Sequence, residues 1–193
     1  MNARTASAAL YMVLFLAPWS AGAGNFSYTY IEGGYGQVDI DNPNIDGDVW
    51  GIGGSYGITE WVHVYANYAY TDYDDFGADG NNWGAGLGVS VPLGDKADFV
   101  GEAGYVYADI DTRFGDADDD GYALSVALRG QLADQFQLEG GVTYADLDDT
   151  GDDTTFFAGG RFYFTESFAA GAGYSAGDDV SAWSLTLRWE FPK

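Results

Sequence analysis

Seven charged side chains fall where strict alternation along the chain would gather them onto one side: Glu32, Glu102, Glu139, Glu190, Arg129, Arg161 and Arg188. Around Arg129, the residues Tyr122, Leu124, Val126 and Leu128 alternate with Ala123, Ser125, Ala127, Arg129 and Gln131. Around Arg188, Trp183, Leu185, Leu187, Trp189 and Phe191 alternate with Ser184, Thr186, Arg188 and Glu190. A period of two puts each of these charges on the face opposite a continuous apolar face. Enclosed together, carboxylates and guanidiniums pair, because a buried charge without a partner is costly. Arranged around open water, the same groups would line a selective pore.

A second set is rich in aspartate. Asp116-Ala117-Asp118-Asp119-Asp120-Gly121 resembles the start of a calcium loop, with oxygens at positions 1, 3 and 5 and glycine at 6. The twelfth position is Ala127 where a glutamate belongs, so the EF-hand reading fails. Loose binding of Ca²⁺ or Mg²⁺ by Asp116, Asp118 and Asp120 is one expectation, and a solvated, mutually repulsive rim is the other. His63, the only histidine, follows the tight turn at Thr59-Glu60 and reads as an interior hydrogen-bonder. No serine stands in a recognisable nucleophile setting, and exposed loop acids lack the burial that raises a carboxyl pKa. The expectation is therefore a chain without catalytic residues. Having no cysteine, it holds no disulfide, thiolate metal site or lipoprotein anchor.

The elements that must position these charges follow from composition and periodicity. In 193 residues there are 30 acids, 7 basic residues and 29 glycines, and aromatics make up 17% of the chain. A net charge of −23 excludes nucleic acid as a partner, since phosphate neutralisation needs clustered Lys and Arg. The aromatic content separates the chain from acidic disordered sequences. Residues 1–23 read as a cleaved signal peptide: Arg4, the apolar run Leu10–Ala17, then Ala21-Gly22-Ala23. Beyond them, over 24–193, no apolar stretch approaches the roughly 20 residues of a transmembrane helix.

Alternation predicts ten strands, at about 26–40, 47–58, 61–73, 82–92, 97–110, 120–132, 135–147, 153–164, 167–177 and 180–191. Eight is the alternative count if one hairpin is only an extended loop. Tight turns at Thr59-Glu60, Ala133-Gln135 and Thr165-Glu166 alternate with polar loops around 41–47, 72–81, 109–120, 147–153 and 176–180. Short turns on one side and long loops on the other mark a transmembrane barrel. So do Gly-, Ala- and Ser-rich faces opposite the apolar ones, and aromatics such as Trp61, Tyr70, Tyr107 and Trp189 near segment ends. About 11 residues at roughly 3.3 Å each, tilted near 40°, cross an apolar band of about 25 Å.

The opening strand Tyr28-Thr29-Tyr30-Ile31-Glu32-Gly33-Gly34-Tyr35 and the closing Trp189-Glu190-Phe191 resemble those of small Gram-negative outer-membrane β-barrel domains, the OmpX-like and OmpA-like group. The terminal aromatic is similar to the signal read by the barrel assembly machinery, although Pro192-Lys193 follow it here. The resemblance implies an antiparallel up-and-down barrel in the outer membrane, in contact with lipid and lipopolysaccharide. Members of the group include adhesins, integrity proteins and narrow pores. Two functions stay open: a plugged barrel presenting acidic loops in a structural or surface-interaction role, or a narrow, weakly cation-preferring, porin-like pore.

Overall fold

A computed structural model describes residues 26–41, 44–73, 77–112 and 115–191; the expected signal peptide over 1–23 lies outside them. The strands are β1 (Tyr30–Asp41), β2 (Asn44–Gly57), β3 (Val62–Tyr73), β4 (Ala78–Pro92), β5 (Ala97–Thr112), β6 (Gly115–Ala133), β7 (Phe136–Leu147), β8 (Gly151–Tyr163), β9 (Phe168–Ala176) and β10 (Val180–Glu190). Each pairs antiparallel with its successor, and β1 pairs with β10 from Tyr30↔Glu190 to Ile40↔Val180, closing the barrel. The eight-strand alternative is thereby set aside. Closure leaves no unpaired strand edge to face lipid, which is what permits a β-sheet to cross a membrane.

Along most of the strands the apolar face changes sides. In the lower part of β1, Ile31 and Tyr35 point out while Glu32, Gly34 and Gly36 point in; higher up, Asp39 and Asp41 point out while Val38 and Ile40 are buried inside. In β5, Phe99 and Tyr105 face out and Asp98 and Glu102 face in, whereas above them Asp109 and Asp111 face out and Val106, Ala108 and Ile110 are buried. The inversion has a solvent cause. Within the bilayer the exterior is hydrocarbon; above it the exterior is water, so the acids turn outward and the aliphatics form an interior core. Val38, Ile40, Val49, Ala69, Ile110 and Val180 belong to that core, which draws on β1 to β5 and β10.

The expected polar loops are therefore mostly strand. Residues 109–112 pair with 115–118, Asp72 with Asp79, and Asp146 with Asp152, as upward continuations of the hairpins. Reading the acids as loop signals hid this, because aspartate is depleted in strands. Their alternation with Ala and Ile was the signal to follow. At the level where the faces invert, tyrosine hydroxyls donate to polar groups: Tyr35 to Asp48 at 2.6 Å, Tyr68 to Asn81 at 2.6 Å and Tyr122 to Asp146 at 3.0 Å. A ring in lipid with a hydroxyl reaching water is the usual role of interfacial tyrosine.

Candidate functional site: the charged floor of the lumen

The inward charges of the membrane part converge in one layer, and strand register explains which of them meet. Arg188 on β10 stands directly opposite Glu32 on β1, and its Nε donates to Glu32 Oε2 at 2.8 Å. Arg161 on β8 reaches the same oxygen at 3.0 Å, across β9 and β10. It can do so because its opposite residue on β9 is Gly171, with Ala169 beside it, so nothing on that strand stands in the way. Arg129 on β6 is opposite Glu139 on β7, with Nε 4.0 Å from its carboxylate, and donates to Gln137 Oε1 at 2.6 Å through Nη2. All three arginines are buried to 1% exposure or less. Tyr30 adds a ring face 3.5 Å from the Arg188 guanidinium.

Glu102 lies against a histidine: its Oε1 is 2.8 Å from His63 Nε2. His63 is on β3, Glu102 on β5, and the residue between them on β4, in register with both, is Gly88. A methyl group at Gly88 would overlap the imidazole, so this glycine is the gap through which the pair forms. The same device recurs one step up, where the Tyr65 hydroxyl lies over Gly86 and Gly104. Glu190 likewise takes a hydroxyl and not a guanidinium, accepting from Tyr163 at 2.6 Å. Of the four glutamates expected to pair with arginine, Glu32 and Glu139 do so, Glu102 lies against His63 and Glu190 accepts from Tyr163. Sequence reasoning missed Gly88, whose signal was a Gly-x-Gly-x-Gly run on the inward face of a predicted strand.

Asp98, also inward and fully buried, stands opposite Arg129 on β5 and was not singled out from the sequence. The three aspartates proposed for cations do not converge. Asp116, Asp118 and Asp120 alternate along the outward face of β6, about 6.6 Å per step, too far apart to share one ion. Among the described residues, no group of three or more His, Asp or Glu side chains is placed to hold a metal ion. Asp119, between them, turns inward and accepts from the backbone amide of Asp149 at 3.1 Å and from the Thr150 hydroxyl, tying down the β7–β8 turn.

The family model that matches is the outer membrane protein beta-barrel domain, over residues 6–191. The chain belongs to this family. No curated protein sequence matches it. Among solved structures, the fold of this outer-membrane barrel is similar to the NanC porin, with a TM-score of 0.52 and 10% identity over 86% of this chain and 100% of that one. The KdgM porin aligns over 84% of this chain and 99% of its own at 9% identity and a TM-score of 0.46. The translocator domain of the autotransporter NalP from Neisseria meningitidis aligns over 92% and 91% at 12% identity and 0.47. At these identities the likeness is one of fold. Membership of the family places this barrel in the Gram-negative outer membrane.

Proposed function

We propose that this protein is a closed outer-membrane barrel whose role is structural or surface-directed, carried by its collar, the acidic upper ends of the strands above the membrane. The observation that supports this most is the floor itself: three buried guanidiniums, with carboxylates and a glutamine as their neighbours, occupy the interior where a conducting path would run. A barrel of about this strand number has an interior that side chains can fill. The aliphatic core of the collar supports the same reading from the outer end. The chain is exported through the periplasm behind the signal peptide of residues 1–23, meets the barrel assembly machinery, and ends in contact with lipid and lipopolysaccharide. It carries no catalytic role; the outward acids attract divalent cations loosely and bind none in a built site.

A narrow, weakly cation-preferring pore is the second reading. It draws on the inward Ser125, Thr143, Thr155 and Ser184, which are only half-buried and so border accessible space between floor and collar. Refolded protein in planar bilayers separates the two. Steady single-channel conductance in the unmodified protein would overturn the closed reading, and a silent bilayer that begins to conduct with Arg161→Ala and Arg188→Ala would support it.

A further inference from the structure

Below the floor, the alternation of β1 continues beyond its first ladder residue. Phe26 and Tyr28 extend the inward series of Tyr30 and Glu32, and both are buried, at 4% and 3% exposure. Yet residues 26–29 are not strand. The β1–β10 ladder ends with the Phe191 amide donating to the Thr29 carbonyl at 2.9 Å, and the Gly57 amide donates to the Thr29 hydroxyl at 3.3 Å. Ahead of that tether the segment is held by its rings. Tyr28 stacks on His63 with centroids 4.6 Å apart and planes 10° from parallel. Arg129 lies over the Phe26 ring, 4.8 Å from its centroid. The Tyr28 hydroxyl lies beside the fully buried Ser90 and within the field of Asp98. Phe26 also forms part of the wall of a cavity of about 600 Å³ at the same mouth, with Gln131, Gln137, Tyr163 and Glu190.

From this placement we propose that residues 26–28, ahead of the Thr29 tether, are a stopper, a segment of the chain folded into the periplasmic mouth that covers the His63 and Arg129 side of the charged floor. The device rests on the closed-barrel reading and names what covers that side of its lower end. A segment with side-chain contacts and no ladder of its own opens at less cost than any strand. Both ring contacts land on floor residues, His63 and Arg129. Withdrawing the stopper therefore uncovers the His63–Glu102 and Arg129–Gln137 bonds to water while every strand pair stays intact.

The chain has no cysteine, so one reporter can be placed cleanly. Ser90→Cys puts a small thiol under Tyr28, and Ser125→Cys puts one above the floor. In refolded protein, a small cationic methanethiosulfonate should label the first slowly. Adding Phe26→Ala and Tyr28→Ala should raise that rate at least tenfold while the rate at Ser125→Cys stays unchanged, with far-UV circular dichroism reporting an intact barrel. Phe26→Ala alone gives the same comparison, with a smaller rise, should the double change not fold. A rate at Ser90→Cys that is fast from the start, or that stays slow after the rings are removed, overturns the stopper. A conducting unmodified barrel in which labelling still depends on the two rings would overturn the closed reading and leave the stopper standing.

Discussion

The membrane part and the collar are continuous in the same strands, and most of those strands reverse their amphipathicity between the two. Below, charges are inside and apolar groups outside; above, apolar groups are inside and acids outside. The acids of the two parts obey different physics for that reason. In the lumen Glu32 is buried, and two guanidiniums meet one of its oxygens at 2.8 and 3.0 Å. On the collar, Asp72 faces Asp79, Asp79 faces Asp111, and Asp111 faces Asp116, in one row across β3 to β6. Like charges directly opposite on a sheet repel. The row is tolerable because water screens it. The inside of this barrel is specified by pairing and the outside by solvation.

The sharpest way to break the contrast is to remove the shared acceptor. Glu32→Ala leaves the buried Arg161 and Arg188 without that carboxylate, and breaking a buried pair in this way costs about 3 to 5 kcal/mol. Arg161→Ala alone should cost less, because Glu32 keeps Arg188. Urea unfolding of refolded protein in detergent measures both, and equal, near-zero losses would mean that water fills the floor.

Sterics give the next effect. Gly88→Ala should separate His63 from Glu102 and cost about 1 to 3 kcal/mol, the range for overpacking a filled interior. Gly101→Ala is the control on the outer face of β5, where a methyl would find nothing closer than Val89 Cγ2 at 3.8 Å. It should leave stability unchanged or slightly raised. Matching losses at the two positions would show that β-strand glycines matter here for the backbone and not for the gap.

Much of this architecture was legible in the sequence, and what was not has two causes. Period-two alternation located ten strands and turned Arg129, Arg161 and Arg188 inward, because a charge facing lipid costs about 2 to 4 kcal/mol at mid-membrane. Partner choice was not legible. Arg161 reaches Glu32 past Gly171, and His63 reaches Glu102 past Gly88, so the pairs depend on what is missing from an intervening strand as well as on the charges. The collar was hidden because aspartate reads as a loop residue, while Val38, Ile40, Ala108 and Ile110 between the acids already carried the inverted face.

On the collar the effects are smaller and depend on the medium. At matched ionic strength, calcium or magnesium should raise the thermal midpoint of lipopolysaccharide-free refolded protein more than sodium does, since a divalent ion between facing carboxylates relieves repulsion that screening only weakens. Asp116→Asn, Asp118→Asn and Asp120→Asn together should reduce that gain without abolishing it, because Asp72, Asp79 and Asp109 stay in place. Identical calcium and sodium curves would reduce the acids to a solvated rim.

The smallest effect tests the repulsion directly, at Asp111. This carboxyl is held above the ordinary aspartate range by partial desolvation first, then by the charges of Asp116, Asp79 and Asp109. A carboxyl whose pKa is raised on folding binds protons more tightly in the folded chain than in the unfolded one. Stability therefore falls as pH rises from the unfolded value through the folded one, and is regained on acidification across that same window. Asp111→Asn removes the charge at every pH. It should raise the thermal midpoint at neutral pH by a small amount, and the advantage should disappear as the pH drops below the folded pKa, where the native carboxyl is itself neutral. Asp48 is the internal contrast: hydrogen bonds from Tyr35 and Gln37 hold it below its usual range. Asp48→Asn should lower the midpoint at neutral pH, and its deficit should shrink on acidification. Melting curves of the two variants between neutral and mildly acid pH should thus converge on the parent from opposite sides. If both variants shift the same way at every pH, the opposed carboxylates of the collar are too well hydrated for register to matter.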